Sequence, residues 1–118
     1  MISLILTVRN EMPLLSEWFL SIDNQIVPPD EIVIVDGGST DGTWEFLQKE
    51  AAARHNLRVF HHKGNIASGR NRAIAKSSGE FIAVTDAGCV YDPEWLRDLT
   101  VPLIAGTHTV SATAFAPW

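Results

Sequence analysis

Short apolar runs recur along the chain, each separated from the next by a stretch whose apolar residues fall at helical spacing. This alternation limits the fold more than any other feature. Ile2 to Val8 (ISLILTV) is rich in β-branched and Leu residues, too short for a typical helix and suited to a strand buried on both faces. Glu31 to Asp36 (EIVIVD), Leu57 to His62 (LRVFHH) and Glu80 to Asp86 (EFIAVTD) read as three further strands. Between the first two, Asn10 is a plausible N-cap, Pro13 sits in the first turn, and Leu14, Leu15, Trp18, Phe19 and Ile22 mark the inner face of a helix as far as Gln25. A second helix is expected from about Asp41 to His55, capped by Ser39 or Thr40, with Trp44, Leu47 and Ala51 on one face. Ser68 to Ser77 reads as a short helix closed by Gly79. Asp92 and Pro93 form an N-cap and N1 pair that opens a last helix with Trp95, Leu96 and Leu99 inward, and Thr107 to Phe115 is a candidate fifth strand. Strands alternating with helices imply right-handed crossovers and a doubly wound, mainly parallel α/β sheet with helices on both faces.

A chain of 118 residues is close to the usual size of one domain, so residues 1–118 are expected to form a single unit, and 46% hydrophobic residues supply its core. Nine Lys and Arg against fourteen Asp and Glu leave a net charge of −5 with no basic stripe, which argues against nucleic acid as a partner. Cys89 is the one cysteine and cannot form an internal disulfide; it reads as a small buried hydrophobe in a reducing compartment, and the expected location is cytoplasmic. No run of about 18 apolar residues suggests a membrane span, so contact with a membrane would come through partners.

In an open α/β sheet, ligands bind beyond the carboxyl ends of the strands, where loops and helix N-termini converge with unpaired N–H groups. The residues delivered there are Thr7 and Arg9 from the first strand, Asp36 from the second, His61 and His62 from the third, and Thr85 and Asp86 from the fourth. The loop after the first strand has no glycine, which rules out a G-x-G-x-x-G dinucleotide turn, and residues 37–42 lack the spacing and lysine of a Walker cradle. Asp36 offers a fixed anionic acceptor for ribose hydroxyls or a base N–H; capping its own turn is the competing role. His61 and His62 are adjacent in a strand and so point to opposite faces, which favours a structural or surface role over metal binding.

Five fragments in sequence carry a family resemblance: Thr7-Val8-Arg9-Asn10-Glu11, Ile34-Val35-Asp36-Gly37-Gly38-Ser39-Thr40-Asp41-Gly42-Thr43, residues 65–71 (NIASGRN), Gly79-Glu80-Phe81-Ile82-Ala83, and Thr85-Asp86-Ala87-Gly88. Together they resemble the inverting family 2 glycosyltransferases of GT-A fold, over residues 2 to about 114. The resemblance implies a nucleotide-diphospho-sugar partner, UDP- or GDP-linked, contacted by Thr7, Arg9, Asp36, Gly38, Arg70, Asn71 and Asp86. It also implies a divalent cation, Mn2+ or Mg2+, at a D-x-D triplet. Here that triplet reads Asp86-Ala87-Gly88 and the usual Asp-Asp pair after the second strand reads Asp36-Gly37, so Asp86 is left as the one candidate metal ligand.

The family's general base is an acidic residue in the acceptor half, and nothing after Phe115 supplies one, so no catalytic residue is assigned. Two functions stay open: the donor-binding part of an inverting glycosyltransferase, incomplete as an isolated chain, or a non-catalytic nucleotide-binding relative. The uncharged stretch from Val110 to Trp118 leads to the expectation of an uncovered strand edge with exposed Phe115 and Trp118, and hence of self-association.

Overall fold

The computed structural model describes residues 1–104. β1 (Ile2–Val8) lies inside the sheet, paired in parallel with β2 (Glu31–Asp36) on one side and with β4 (Phe81–Thr85) on the other; β3 (Leu57–His61) continues beyond β2, giving the order β3-β2-β1-β4. Every residue of β2 is buried, and Thr7 is the one partly exposed residue of β1, as expected of strands covered on both faces. The candidate strand at 107–115, with Phe115 and Trp118, lies outside the described residues.

Successive strand residues point to opposite faces, so the sheet sorts its side chains into two cores. Leu4, Leu6, Val8, Ile32 and Ile34 pack with Leu15, Trp18, Phe19 and Ile22 of α1 (Met12–Asp23), Leu47 of α2 (Thr43–Ala53) and Leu96 of α4 (Trp95–Ile104). On the other face Ile5, Val33 and Val35 meet Ala73 of α3 (Ile66–Lys76). Small residues let α3 lie close to the sheet: Gly69 is buried, and a Cβ added there would stand 3.3 Å from Thr7 Cγ2.

The helix boundaries depart from the sequence expectations where side chains bond across loops rather than to their own helix. α1 starts after Glu11, not at an Asn10 cap, and ends at Asp23; Leu14 is on its exposed side. Gln25, freed from the helix, is buried and donates to Asp92 O while accepting from Leu96 N, tying α1 to α4. α2 begins after Gly42, whose φ of 98° suits glycine, and Ser39 and Thr40 do not cap it. α3 begins at Ile66, earlier than expected, because Asn65 Oδ1 accepts from Ser68 N at 2.8 Å. Asp92 Oδ1 accepts from Glu94 N and Asp92 O from Trp95 N, so the Asp92-Pro93 pair makes a turn ahead of α4.

What Ser39 and Thr40 do instead is join the loops after β1 and β2. Asn10 N donates to Ser39 Oγ (2.9 Å), Thr40 N to Asn10 Oδ1 (2.7 Å), Glu11 N to Thr43 Oγ1 (3.2 Å) and Met12 N to Asp41 Oδ2 (3.3 Å). The N–H groups at the start of α1, which have no partner within their own helix, thus find acceptors in the next loop. Asn10 holds a left-handed backbone, φ 53°, which Asn tolerates better than other residues with a side chain.

Two adjacent acidic side chains hold the amino ends of the strands: Asp30 Oδ2 accepts from Ile2 N at 2.7 Å, and Glu31 makes the larger set of bonds. Glu31 is buried; its Oε1 accepts from Ser3 Oγ (2.8 Å) and Ser78 N (2.7 Å), and its Oε2 from Arg58 Nη2 (2.7 Å). Burial alone would raise its pKa, but the bonds from Ser78, Ser3 and Arg58 outweigh it and hold the carboxyl below its usual value.

Two outcomes follow. The contribution of Glu31 is present above the ordinary carboxylate pKa and fades as pH falls through the lowered folded value. Glu31→Gln therefore costs about 1 to 3 kcal/mol at neutral pH, the lower end applying if water screens Arg58, and the gap to the unsubstituted protein narrows in urea unfolding below about pH 4. At Asn10, Gly keeps the backbone and loses the Thr40 bond, costing about 0.5 to 1.5 kcal/mol, whereas Ala adds about 1 to 2 kcal/mol for the left-handed conformation. Equal midpoints for Asn10→Gly and Asn10→Ala would show that the backbone shape is not being held.

Candidate functional site

The strand register brings Asp36 and Asp86 to one rim. Val8 of β1 stands opposite Asp36 of β2, and Leu6 stands opposite Thr85, the last residue of β4, so Asp86 follows beside Thr7. The two acidic positions therefore flank the end of β1, separated by two strand spacings, roughly 10 Å. Strand order also reverses here: β1 to β2 to β3 runs one way, and β4 returns to the other side of β1, which is where open α/β sheets form their crevice.

A cleft of about 630 Å³ opens at this rim. Its floor is Thr7, Val8 and Val35; Arg9, Glu11 and Gly37 form one wall; and Asn65, Ile66, Ala67 and Gly69 from the start of α3 form the other, with His62 and Gly64 between. The walls are largely apolar or backbone, with an arginine and a helix N-terminus placed to meet an anion. Of the residues singled out in the sequence, Thr7 and Arg9 line the cleft directly. Arg70 follows the lining residue Gly69 and is half-buried, whereas Asn71 lies on the exposed side of α3. His61 stacks on Trp44 at 3.6 Å, and His62 turns to the cleft, so the adjacent histidines do diverge.

Asp36 is fully buried and divides its carboxylate. Oδ1 accepts from Gly38 N (2.7 Å) and Ser39 N (2.8 Å), folding the loop in which Gly38 takes φ 107°; Oδ2 is buried without a partner. The turn-capping role is thus present, and one acceptor is left over. A buried carboxylate oxygen without a donor is costly, and in folded proteins such groups concentrate where a ligand completes them.

Asp86 is exposed, and its Oδ1 accepts from Gly88 N at 2.8 Å. Glu11, the last residue of the Thr7-Val8-Arg9-Asn10-Glu11 segment, carries no sequence signal of its own for a site. The structure puts it on the cleft wall, where burial and then the carboxylates of Asp86 and Asp41 push its pKa up. No group of three His, Cys, Asp or Glu among the described residues is arranged to hold a cation. The donor set at Asp86 fits a hard cation that takes one carboxylate from the protein and completes its shell with phosphate and water oxygens; it does not make a cage of its own.

Comparison with known proteins agrees with this geometry. The sequence pattern described as glycosyl transferase family 2 matches residues 3–116. The glycosyltransferase AglE of Haloferax volcanii is 32% identical over 117 residues, covering 95% of this chain and 36% of AglE. The structure of S. aureus TarS (residues 1–349) in complex with UDP-GlcNAc superimposes with a TM-score of 0.75 at 27% identity, over 88% of this chain and 31% of that one. The mannosyltransferase PcManGT of Pyrobaculum calidifontis, in complex with GDP-Man and Mn2+, superimposes with a TM-score of 0.68 at 30% identity, over 76% of this chain and 28% of that one. The chain thus spans about a third of the length of these relatives. A doubly wound sheet with its crevice at this switch point, and a family match that runs along nearly the whole sequence, place the chain in glycosyl transferase family 2.

Proposed function

We propose that the chain binds a nucleotide-diphospho-sugar, UDP- or GDP-linked, and provides the donor side of an inverting transfer to an acceptor hydroxyl. The observation that carries this reading is the cleft between the end of β1 and the start of α3. Its volume is in the range of small-molecule sites, and it lies in a fold shared with proteins solved with UDP-GlcNAc and GDP-Man. Base and ribose lie against Thr7, Val35 and Gly69 of the cleft. Asp36 is buried between the lining residues Val35 and Gly37 rather than on the lining itself, and its unpaired Oδ2 is the acceptor for a ribose hydroxyl or base N–H once the ligand reaches it. Gly37 and Gly38 keep the loop over that carboxylate free of side chains. The diphosphate runs towards Asp86, with Arg9 and Arg70 as counter-charges.

A divalent cation, when bound, neutralises the charge that builds on the leaving diphosphate. In this chain Asp86 is the residue to hold it, with the remaining ligands coming from substrate and water. Glu11 adds a second carboxyl to the cleft wall, close enough to feel the charge of Asp86. No residue here is assigned as the base that deprotonates the acceptor. Residues 1–118 are read as a single donor-binding unit, with transfer requiring an acceptor site.

Asp36→Asn tests the nucleotide assignment without dismantling the loop, because an amide oxygen still accepts from Gly38 and Ser39 while the other position changes from acceptor to donor. UDP or GDP affinity in titration calorimetry is expected to fall at least about tenfold with little change in melting temperature. Unchanged affinity would remove Asp36 from the ribose or base. For the cation, a Cβ at Gly88 would meet Asp86 Oδ1 at an ordinary 3.4 Å, so Gly88→Asp is accommodated. It should make nucleotide binding more dependent on Mn2+, whereas Asp86→Asn should abolish that dependence. If Gly88→Asp leaves the Mn2+ response unaltered, Asp86 is not beside the phosphates.

A further inference from the structure

Asp86 is held at its backbone as well as its side chain, and the residue responsible is five positions further on. Asp86 N donates to the Tyr91 hydroxyl at 3.0 Å, Asp86 O accepts from Cys89 N at 3.1 Å, and Oδ1 accepts from Gly88 N at 2.8 Å. Tyr91 is buried, 3% exposed, with its ring 4.2 Å from that of Trp95. Trp95 stands at the start of α4, where the Gln25 bond to Leu96 anchors the helix to α1. The loop after β4 is therefore wound around one phenolic oxygen that is itself fixed by the core.

We infer that the Tyr91 hydroxyl is the positioning group for Asp86: by taking its N–H and anchoring the turn that occupies Oδ1, it leaves the remaining carboxylate oxygen fixed and free to ligate the cation that neutralises the nucleotide's diphosphate. The inference rests on the assignment of Asp86 to the nucleotide made above. It answers a need particular to this chain. Where a second carboxylate shares the load, the orientation of the first matters less; with Gly88 in that position, a single oxygen has to be in place before the ligand arrives. The Asp86 N–H lies past the last residue of β4, so the sheet does not hold it, and the hydroxyl takes over that task.

A double-mutant cycle read by UDP and GDP calorimetry in the presence of Mn2+ decides it, using Tyr91→Phe, Asp86→Ala and both together, with thermal melts alongside. Tyr91→Phe keeps the ring on Trp95. It is expected to weaken binding about five- to tenfold when Asp86 is present and less than about twofold when it is Ala. Cys89→Ala, which leaves the tyrosine whole and perturbs only its surroundings, should lower the melting temperature while affinity stays within about twofold. If Cys89→Ala weakens binding as much as Tyr91→Phe does, loop stability rather than the hydroxyl governs affinity and the inference falls. Equal losses for Tyr91→Phe in both backgrounds overturn it alone. If Asp86→Ala binds as tightly as the unsubstituted chain, the nucleotide assignment of Asp86 fails, and the inference with it. A Tyr91→Phe protein that no longer melts cooperatively would make the hydroxyl a requirement of the fold, which also overturns it.

Discussion

The parallel pairing of β1 on both its edges is the constraint on which the rest depends. With β2 on one side and β4 on the other, all in the same sense, their carboxyl ends meet on one rim, and the chain reverses its direction across the sheet at β1. α1 and α2 cover one face during the outward walk, and α3 covers the other on the return, so the start of α3 is brought over the end of β1. The cleft is what remains between them. Gly69 keeps that gap narrow at its base by allowing α3 to touch Thr7, and the acidic positions on either side inherit their spacing from the strands.

The rim is also where local rules of stability are relaxed. Glu31, at the opposite end of the sheet, has both carboxylate oxygens paired, whereas Asp36 leaves one buried oxygen without a donor, and Glu11 is kept close to two other acids. Two ends of one sheet thus treat the same functional group in opposite ways. The amino end uses its carboxylate to hold strands together; at the carboxyl end Asp41 is likewise bonded into the loops, and it is Asp36 that keeps one oxygen unpaired, the arrangement expected where a ligand rather than the fold completes the interactions.

Much of this was legible in the sequence because it follows from periodicity. β1 and β2 fall where the apolar runs put them, and the order of strands and helices implied the parallel sheet and the shared rim of Asp36 and Asp86. What escaped were features that depend on which side chain reaches which loop. Ser39 and Thr40 have the chemistry of helix caps and stand just before a helix, yet they bond to Asn10, some 30 residues earlier. Asn10 looked like a cap for α1 and is instead a left-handed link. Glu11 carried no periodic signal to mark it as a cleft residue, and nothing in the residues around Tyr91 shows that its hydroxyl reaches back to Asp86. Local patterns report on neighbours along the chain, and these contacts are set by tertiary approach.

The stitched loops have a consequence for the order in which the protein assembles. An ordinary N-cap lies next to its helix and is made with it, so the first turn closes as soon as the segment exists. Here the acceptors for Glu11 N and Met12 N are Thr43 and Asp41, more than 30 residues away by one bond and nearly so by the other. The acceptors that complete the first turn of α1 are therefore in place only where β2 is paired with β1 and the chain has turned into α2. That closure is non-local, and its loop entropy is spent before the helix start is rewarded. The step that seals α1 is then the same step that shapes the Arg9–Glu11 wall, so a chain in which the helix start has formed has already made one side of its cleft.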